Sequence, residues 1–262
     1  MKAIFLSDNH LKREKDAGYR YLMRFFDLLE CKPVEINEQH TGRSYGETGG
    51  YTIGIDDLFI VGDFFDFWFC RNNHIYPEFR AMVCKLIELK TRGIRIHLCE
   101  GNHDFFLKDY FSNKLGMTVF SDWAVIDSNG RRILVSHGDT VDRSNIRYLL
   151  LRKILRSIIF YRIQRGIPSS ILWSIARISS NMSKELSNES EDRLVEKMHA
   201  FSMEKFKEGF DAVILGHCHK PLLKEYTIED RRKTFATLGD WIKRYSYLYY
   251  EDGHFTLSYY RP

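Results

Sequence analysis

Short apolar runs recur along the chain, and each one stops at a cluster of polar residues. The runs occupy residues 3–6, 58–61, 94–99, 132–136 and 212–215. Runs of this length are typical of buried β-strands. Asp, Asn, His or Gly follows directly after each run, and open α/β sheets bind ligands beyond the carboxyl ends of their strands. The pattern therefore predicts an α/β fold with a polar site at one edge of its sheets.

Helical spacing fills two of the intervals between the predicted strands. Residues 17–30 carry apolar side chains at helical intervals, and residues 77–91 repeat this pattern after Pro77 in the first turn. Both segments are predicted to be helices that connect neighbouring strands and pack against the sheet.

The end of the chain has a different pattern. Residues 245–250 and 255–260 alternate around Asp252-Gly253, which predicts antiparallel strands joined by a tight turn. Residues 37–54 are rich in Gly, Thr and Ser, and we interpret them as an excursion with a hairpin that ends at Tyr51-Thr52-Ile53. This order of elements predicts two sheets packed face to face with helices outside, in a single domain of 262 residues.

Composition favours an intracellular globular protein. Apolar residues make up 44% of the chain, which is enough for a large core. The five cysteines are scattered without a CxxC pair, which argues against a disulfide framework or a zinc ribbon and favours a cytoplasmic location. The first apolar run is too short for a signal peptide, and no uncharged run is long enough to span a bilayer.

The polar clusters contain the donor atoms that a two-metal site requires. Two divalent ions need carboxylate oxygens, imidazole nitrogens and amide oxygens, with one carboxylate able to bridge them. An extended segment would direct the alternating pair Asp8 and His10 to one side. Cys218 is expected to face away from its two histidine neighbours. The candidate ligands are Asp8, His10, Asp63, Asn102, His137, His217 and His219.

These clusters resemble the calcineurin-like metallophosphoesterases, whose pattern is DxH, GDxxD, GNHD, a later H, and GHxH. They stand here, in that order, as Asp8-Asn9-His10, Gly62-Asp63-Phe64-Phe65-Asp66, Gly101-Asn102-His103-Asp104, His137-Gly138-Asp139 and Gly216-His217-Cys218-His219. The resemblance implies a four-layer αββα sandwich of two mixed sheets. It also implies that Asp8, His10 and His219 hold one ion, that Asn102, His137 and His217 hold the other, and that Asp63 bridges them.

The same resemblance implies catalytic roles for two further residues. His103 would contact the substrate phosphate and the leaving group, and Asp104 would orient His103. The reaction expected is in-line attack of a metal-bridging hydroxide on phosphorus. Mn²⁺ is the expected ion, while Fe or Zn would also fit such mixed nitrogen and oxygen ligands.

The segment from residue 143 to residue 183 contains no acidic residue, and it is predicted to form helices within a helical cap insertion at 143–207. Its basic residues are Arg143, Arg147, Arg152, Lys153, Arg156, Arg162, Arg165 and Arg177. One interpretation is a subdomain whose apolar face is core and whose arginines are solvated. The other is a cationic, apolar cap that accepts a lipid-bearing anion or lies on an anionic membrane.

A narrower resemblance covers nearly the whole chain. Gly62-Asp63-Phe64-Phe65-Asp66-Phe67-Trp68, His137-Gly138-Asp139-Thr140 and Leu238-Gly239-Asp240-Trp241 resemble the UDP-2,3-diacylglucosamine pyrophosphohydrolase family. Members cleave their lipid substrate to UMP and 2,3-diacylglucosamine 1-phosphate at the cytoplasmic face of the inner membrane. The resemblance implies substrate contacts at Asn102, His103, Asp142, Arg143, Arg177, Ser180, Lys184 and His217. The chain departs from the family pattern at His103, where other members have Arg. The excursion at 37–54 is an additional segment.

Two other functions agree with part of the sequence. A nuclease or nucleotide phosphodiesterase of the same superfamily would use the basic cap to hold phosphates, but the many large apolar side chains of the cap disfavour nucleic acid as a partner. A non-catalytic scaffold would have no need of the complete ligand set. A metal-dependent phosphoester hydrolase that acts on a UDP-linked lipid therefore remains the main hypothesis.

Overall fold

The structure is a computed structural model that describes residues 1–31, 52–70, 74–168, 170–174 and 190–262. The strands are β1 Lys2–Leu6, β2 Leu29–Cys31, β3 Ile53–Ile55, β4 Asp57–Val61, β5 Arg95–Cys99, β6 Thr118–Phe120, β7 Trp123–Ser128, β8 Arg131–Ser136, β9 Ala212–Leu215, β10 Leu222–Ile228, β11 Arg231–Thr237, β12 Ser246–Glu251 and β13 His254–Tyr259. The α-helices are α1 Ala17–Asp27, α2 Arg80–Thr91, α3 Ile146–Leu155, α4 Ile158–Gly166 and α5 Glu191–Lys207.

Two mixed sheets form the centre of the molecule. The first has the strand order β13-β12-β1-β4-β5-β6, and the second has the order β10-β11-β9-β8-β7. Strands β1, β4, β5 and β6 are parallel, as are β8, β9 and β11. The carboxyl ends of parallel strands meet at one edge of a sheet, so the polar clusters that follow β1, β4 and β5 converge, as do those that follow β8 and β9.

Alternation along the strands of the first sheet separates two apolar layers. Ala3 and Phe5 of β1 belong to the layer between the two sheets, whereas Ile4 and Leu6 belong to the layer beneath helices α1 and α2. Successive side chains of a strand point to opposite faces, and both faces of this strand are buried. That is why the strand reads as an uninterrupted apolar run in the sequence.

Helices cover the outer face of each sheet. Phe25 and Phe26 of α1 and Leu86 of α2 pack on the first sheet. Met198 and Phe201 of α5 pack on the outer face of the second. The order helix, sheet, sheet, helix confirms the predicted αββα sandwich.

The local predictions agree with most observed elements. The strands predicted from the five apolar runs are β1, β4, β5, β8 and β9, and the C-terminal hairpin is β12 with β13. The segment predicted as a helix from residue 77 begins with a 3₁₀ turn, Pro77–Phe79, before α2. Most of the predicted excursion at 37–54 lies outside the described residues, and Ile53–Ile55 pairs in parallel with β2.

The segment after the His137 cluster forms two short helices, α3 and α4, and residues 170–174 are also helical. The side chains of Asn145 and Ser157 cap α3 and α4 by accepting main-chain N–H groups of Tyr148 and Phe160. The name cap refers below to α3, α4 and the helical residues 170–174. The later helix α5 belongs to the sheet-covering layer.

The apolar side chains of α3 and α4 are not part of the buried core. Helix α3 has no buried residue, and the buried residue of α4 is Gln164. Ile146 is 71% exposed and Ile159 is 68% exposed. The interpretation of the cap as a packed subdomain is therefore wrong for α3 and α4. No helix in the described ranges is long and apolar enough to cross a membrane.

Candidate metal centre

The loops after the parallel strands are tied to one another by main-chain hydrogen bonds. The N–H of Asp8 donates to the carbonyl of Gly62 at 3.1 Å, and that of His10 donates to the carbonyl of Asp63 at 2.9 Å. The N–H of Trp241, after β11, donates to the carbonyl of Asp8 at 3.2 Å. These bonds fix the loop after β1 between a loop of its own sheet and one of the second sheet.

Five candidate ligands lie in the left-handed region of backbone conformation. The φ angles are 55° for Asp8, 44° for His10, 51° for Asp63, 67° for His217 and 56° for His219. Such angles are unfavourable for residues with a Cβ atom and concentrate at functional sites. Asp8 and His10 do share one side of their segment, but through this turn conformation and not through the extended segment that was predicted.

Close approach of the loops requires glycine at two positions. A Cβ atom on Gly101 would lie 2.2 Å from Asp63 Oδ1, and one on Gly62 would lie 2.5 Å from the ring of His137. Both distances are shorter than real Cβ contacts. The glycines that precede Asp63 and Asn102 therefore allow the candidate ligands to come together.

Four atoms that could coordinate a metal ion lie close together at His137. Its Nε2 lies 2.9 Å from Asn102 Oδ1, 3.2 Å from His217 Nδ1 and 3.4 Å from Asp63 Oδ2. Its Nδ1 lies 3.2 Å from the carbonyl oxygen of Val61, which can only accept a hydrogen bond. Nδ1 therefore carries the proton, and in the neutral ring Nε2 presents a lone pair to the other acceptor atoms.

A cation is the group that satisfies such a cluster. The pKa of His137 is raised to about 10: burial acts to lower it, but the negative charges of Asp63, Asp8 and Asp139 and the hydrogen bond to Asp63 together outweigh burial. The pKa of His217 is lowered to about 4 by burial and by the neighbouring charge of His137, so its ring is neutral at neutral pH. The site thus favours positive charge among these atoms, and their nitrogen and oxygen chemistry fits a divalent ion.

Asp8, His10 and His219 form a second group. Asp8 Oδ1 lies 3.6 Å from His219 Nε2 and 3.9 Å from His10 Nε2. This oxygen is buried and has no hydrogen-bond partner among the described residues, whereas Oδ2 accepts the hydroxyl of Ser7 and the N–H of His217. A buried carboxylate oxygen without a donor is costly unless a cation completes its surroundings, so this group also fits a metal ion.

Asp63 lies between the two groups. Its Oδ2 is 3.4 Å from His137 Nε2 and 3.7 Å from His10 Nε2. The carboxyl is buried, yet the charges of His137 and His103 hold its pKa well below the usual value against the opposing effect of burial. A single ionised carboxylate is thus within reach of both groups, as a bridging ligand requires.

His103 borders both groups without belonging to either. Its N–H donates to Asp63 Oδ1 at 2.9 Å, and its ring Nδ1 lies 3.1 Å from the carbonyl oxygen of Asp66. The ring meets that of His10 edge to face, with centroids 4.8 Å apart. His10, Asp66 and His103 make a third group of atoms close enough to share a metal ion. Asp66 belongs to the Gly62–Asp66 motif but is not among the predicted ligands.

Asp104 does not orient His103, contrary to the prediction. Its carboxylate accepts the N–H groups of Asp63, Phe64, Phe65 and Gly101 at 2.8–3.1 Å. Among the described residues, the ring of His103 bonds to the carbonyl of Asp66 instead. Burial and the charge of Asp63 raise the pKa of Asp104 to about 8, whereas the main-chain N–H groups favour its ionised form, which can only accept hydrogen bonds. Asp104 therefore organises the main chain around Asp63.

The predicted substrate contacts outside these groups are not brought together by the described residues. The carboxylate of Asp142 is bonded to Lys197 Nζ at 2.7 Å and to Ser144, and the side chain of Arg143 is exposed. Arg177, Ser180 and Lys184 lie outside the described residues.

Residues that hold the ligand loops from behind were missed. Tyr148 and Arg152 of α3 bond to Asp139, two residues after His137. Arg244 donates to the carbonyl of His219 at 2.9 Å and to Asp240 and Glu191. The four-residue spacing of Tyr148, Arg152 and Arg156 places them on one side of a helix, which indicates a shared contact surface. The local excess of positive charge does not distinguish these two arginines from the others.

Comparison with known proteins agrees with this geometry. The model of the calcineurin-like phosphoesterase family matches residues 1–221. The chain is 28% identical to the UDP-2,3-diacylglucosamine hydrolase of Pseudomonas syringae pv. syringae, over 97% of this chain and 94% of the relative. It is 28% identical to the protein of that name from Aeromonas salmonicida, over 95% and 89%. It is 31% identical to the one from Pseudomonas syringae pv. tomato, over 70% and 74%.

The family match covers most of the chain and contains all of the candidate ligands. This family uses divalent metal ions to hydrolyse phosphoesters, and the donor groups around Asp63 fit that chemistry. The chain therefore belongs to the calcineurin-like phosphoesterase family of metal-dependent hydrolases, together with the proteins named UDP-2,3-diacylglucosamine hydrolase.

Proposed function

We propose that the protein hydrolyses UDP-2,3-diacylglucosamine to UMP and 2,3-diacylglucosamine 1-phosphate. The observation that carries the proposal is the pair of donor groups joined by Asp63, next to a cap whose apolar side chains are exposed. The first feature suits a phosphoester, and the second suits a substrate with acyl chains. Relatives that bear the name of this activity align over most of the chain.

Two divalent ions, with Mn²⁺ as our proposed pair, would supply Lewis acidity and lower the pKa of a water molecule. Asp8, His10 and His219 would hold one ion, Asn102, His137 and His217 the other, and Asp63 both. The main-chain bonds around Asp8 and Asp63 keep these ligands in place before any ion arrives. Such preorganisation reduces the cost of assembling a charged transition state.

His103 is proposed to act on the substrate. Its Nδ1 faces the carbonyl of Asp66, so the opposite ring nitrogen can point towards a phosphate. A protonated His103 would stabilise charge on the phosphoryl oxygens and could donate a proton to the leaving group. Arg has the first of these capacities but not the second at neutral pH, so the histidine would give the protonation step a pH dependence that an arginine lacks.

The cap is proposed to contact lipid. Ile146, Leu150, Ile154, Ile158, Ile159 and Ile163 are each more than half exposed. Exposed basic residues of the same helices, including Arg147, Lys153 and Arg162, would favour an anionic surface. We propose that the protein works in the cytoplasm at the inner membrane, with this face towards the lipid.

The test is release of UMP from UDP-2,3-diacylglucosamine with Mn²⁺, beside hydrolysis of bis(p-nitrophenyl) phosphate, each repeated with EDTA. Efficient, EDTA-sensitive release of UMP is expected. Activity on the generic diester without UMP release would retain the two-ion site but refute the lipid substrate, and nucleotides would be tested next. Absence of both activities in metal-loaded protein would refute the hydrolase.

A further inference from the structure

One face of cap helix α3 is directed at the ligand loops. Tyr148, Arg152 and Arg156 are spaced four residues apart and so lie on the same side of the helix. Tyr148 Oη donates to Asp139 Oδ2 at 2.5 Å, and Arg152 Nε donates to the same oxygen at 2.7 Å. The segment that follows His137 is thereby attached to the cap.

Arg156, at the end of α3, reaches a different loop. Its Nη2 donates to the carbonyl of Gly101 at 2.6 Å, and its Nη1 donates to Glu100 Oε2 at 3.1 Å and to the carbonyl of Ser121 at 2.8 Å. The other carboxylate oxygen, Glu100 Oε1, accepts the N–H of Leu107 at 2.9 Å. Glu100 therefore closes the loop of residues 100–107, and Arg156 holds that loop against the cap.

This loop carries Asn102 and His103, and it is strained. Phe106 has a φ of 61°, in a region that is unfavourable for a bulky side chain. Its ring packs against Tyr161 of α4 with centroids 4.8 Å apart. A strained loop persists only where surrounding contacts over-determine it, and the contacts from Arg156 and Tyr161 of the cap add to those within the site.

The environment of Arg156 does not suit a phosphate. Its side chain is 13% exposed, its charge is balanced by Glu100, and both terminal nitrogens already donate to protein oxygens. Nε has no hydrogen-bond partner among the described residues, but it is buried and so closed to a ligand from solvent. To bind an anion, the guanidinium would have to give up the partners of its terminal nitrogens.

We propose that Arg156 is a positioning residue, which holds the 100–107 loop so that Asn102 Oδ1 stays beside His137 Nε2. The proposal rests on the two-ion hydrolase function above. In the sequence, Arg156 is one of the basic residues of the cap that could attract an anionic substrate. Its proposed role is instead to support a metal ligand. The ion held by Asn102, His137 and His217 should depend on Arg156, whereas the ion held by Asp8, His10 and His219 should not.

The primary experiment is Mn²⁺ titration of the full chain followed by electron paramagnetic resonance. Wild type is expected to bind two ions. We call the ion held by Asp8, His10 and His219 the first ion and the ion held by Asn102, His137 and His217 the second ion. Arg156→Gln should weaken the affinity for the second ion by about 10–100-fold, as loss of a residue that supports a ligand does. The affinity for the first ion should stay within about twofold of wild type. Arg156→Lys, which keeps the charge but not the fork, should fall between. Lys207→Gln removes a positive charge from an exposed position at the end of α5 and should match wild type.

Kinetics separate positioning from phosphate binding. With bis(p-nitrophenyl) phosphate at a Mn²⁺ concentration that saturates wild type, Arg156→Gln should lower kcat about tenfold or more and change KM less than about twofold. A raised KM with both ions bound at normal affinity would overturn the proposal and identify Arg156 as a substrate contact. A parallel loss of both ions would also overturn it, because it would indicate a merely structural residue.

A second variant covers the case in which Arg156→Gln does not fold. Glu100→Gln can keep the acceptor for the N–H of Leu107 while it removes the charge that attracts Arg156, and the same selective loss of the second ion is expected. Unchanged affinity for both ions in this variant would then refute the proposal. If wild type binds two ions and cleaves the diester but releases no UMP from the lipid, the substrate proposal fails and this one stands. If wild type binds fewer than two ions, both fail.

Discussion

Asp104 accepts the main-chain N–H of Asp63 in a buried hydrogen bond of 2.9 Å between Asp104 Oδ1 and the amide nitrogen. Three further N–H groups, from Phe64, Phe65 and Gly101, donate to the same carboxylate. The central candidate ligand is therefore fixed through its backbone by a residue two positions beyond Asn102. This arrangement couples the loops after β4 and β5.

Asp104→Asn tests that coupling. The side-chain NH₂ of Asn cannot accept the main-chain N–H groups that donate to one oxygen of Asp104. Those buried N–H groups would lose their hydrogen bonds, so the free energy of unfolding should fall by about 2–4 kcal/mol. Turnover of the generic diester should fall about tenfold or more, because Asp63 loses its support. Urea unfolding and steady-state kinetics are the measurements. Asp230→Asn, at an exposed turn, is the control, and a wild-type result for Asp104→Asn would show that the four hydrogen bonds are dispensable.

Asp63→Ala should remove the carboxylate shared by the two donor groups. Each ion loses a carboxylate ligand and the negative charge that attracts it, so both ions should bind far more weakly and turnover should fall by at least about 1000-fold. Metal content after gel filtration and diester hydrolysis are the measurements. Asp127→Ala, on the exposed side of β7, should retain both properties. Normal turnover of Asp63→Ala would contradict the ligand assignment.

The fold could be predicted because the apolar runs have one physical cause. Strands β1 and β4 are covered on both faces, so positions such as Ile4 and Phe5 must all be apolar, and the polar residue that ends each run marks the edge of the sheet. The same reasoning predicts from the sequence alone that Asp8, Asp63 and Asn102 lie at one edge. It needed only the parallel direction of neighbouring strands.

What the sequence could not provide is the set of contacts between distant segments. Arg156 meets Gly101, and Arg244 meets the carbonyl of His219, through main-chain atoms that no residue pattern records. The family resemblance pairs Asp104 with His103, while the hydrogen-bond partners of Asp104 in the structure include the N–H groups around Asp63. The exposed state of Ile146 was likewise hidden, since helical spacing indicates a face but not its neighbour.

Asp57 provides a pH-dependent prediction at the opposite ends of β4 and β5. Burial acts to raise the pKa of Asp57, but hydrogen bonds from His97 and Arg95 outweigh burial and lower it. A lowered pKa in the folded state means that the ionised carboxylate stabilises the protein above the unfolded pKa of about 4, and that this contribution is lost as the pH falls through the folded value.

Asp57→Asn should therefore lower the free energy of unfolding at pH 7 by about 1–3 kcal/mol, and the difference from wild type should shrink below about pH 4. Urea unfolding between about pH 3 and about pH 7 is the measurement, because this range includes the pKa of an aspartate in an unfolded chain. A difference that grew on acidification would show that the carboxyl is destabilised by its surroundings.

Arg177→Ala tests a substrate contact that rests on family resemblance alone, since this residue lies outside the described ranges. Loss of one charged hydrogen bond to the substrate should raise KM for UDP-2,3-diacylglucosamine about tenfold and change kcat little. Arg162→Ala removes a charge from an exposed position of α4 and serves as the matched variant. An equal KM increase in both variants would indicate general attraction of the anion and no specific contact.

The exposed cap predicts binding to an anionic bilayer. Ile154 is 53% exposed and Ile158 is 60% exposed, on consecutive cap helices. Each isoleucine that enters lipid contributes up to about 1.5–3 kcal/mol, so Ile154→Ser with Ile158→Ser should weaken binding to phosphatidylglycerol vesicles by about tenfold or more.

Vesicle co-sedimentation at two salt concentrations measures this binding, which should also weaken at high salt because basic residues contribute. Val125→Ser, at an exposed site on β7, removes comparable apolar surface away from the cap and should bind like wild type. Equal binding by the double variant would mean that α3 and α4 do not enter the lipid, and that their apolar side chains serve the acyl chains of a single substrate molecule instead.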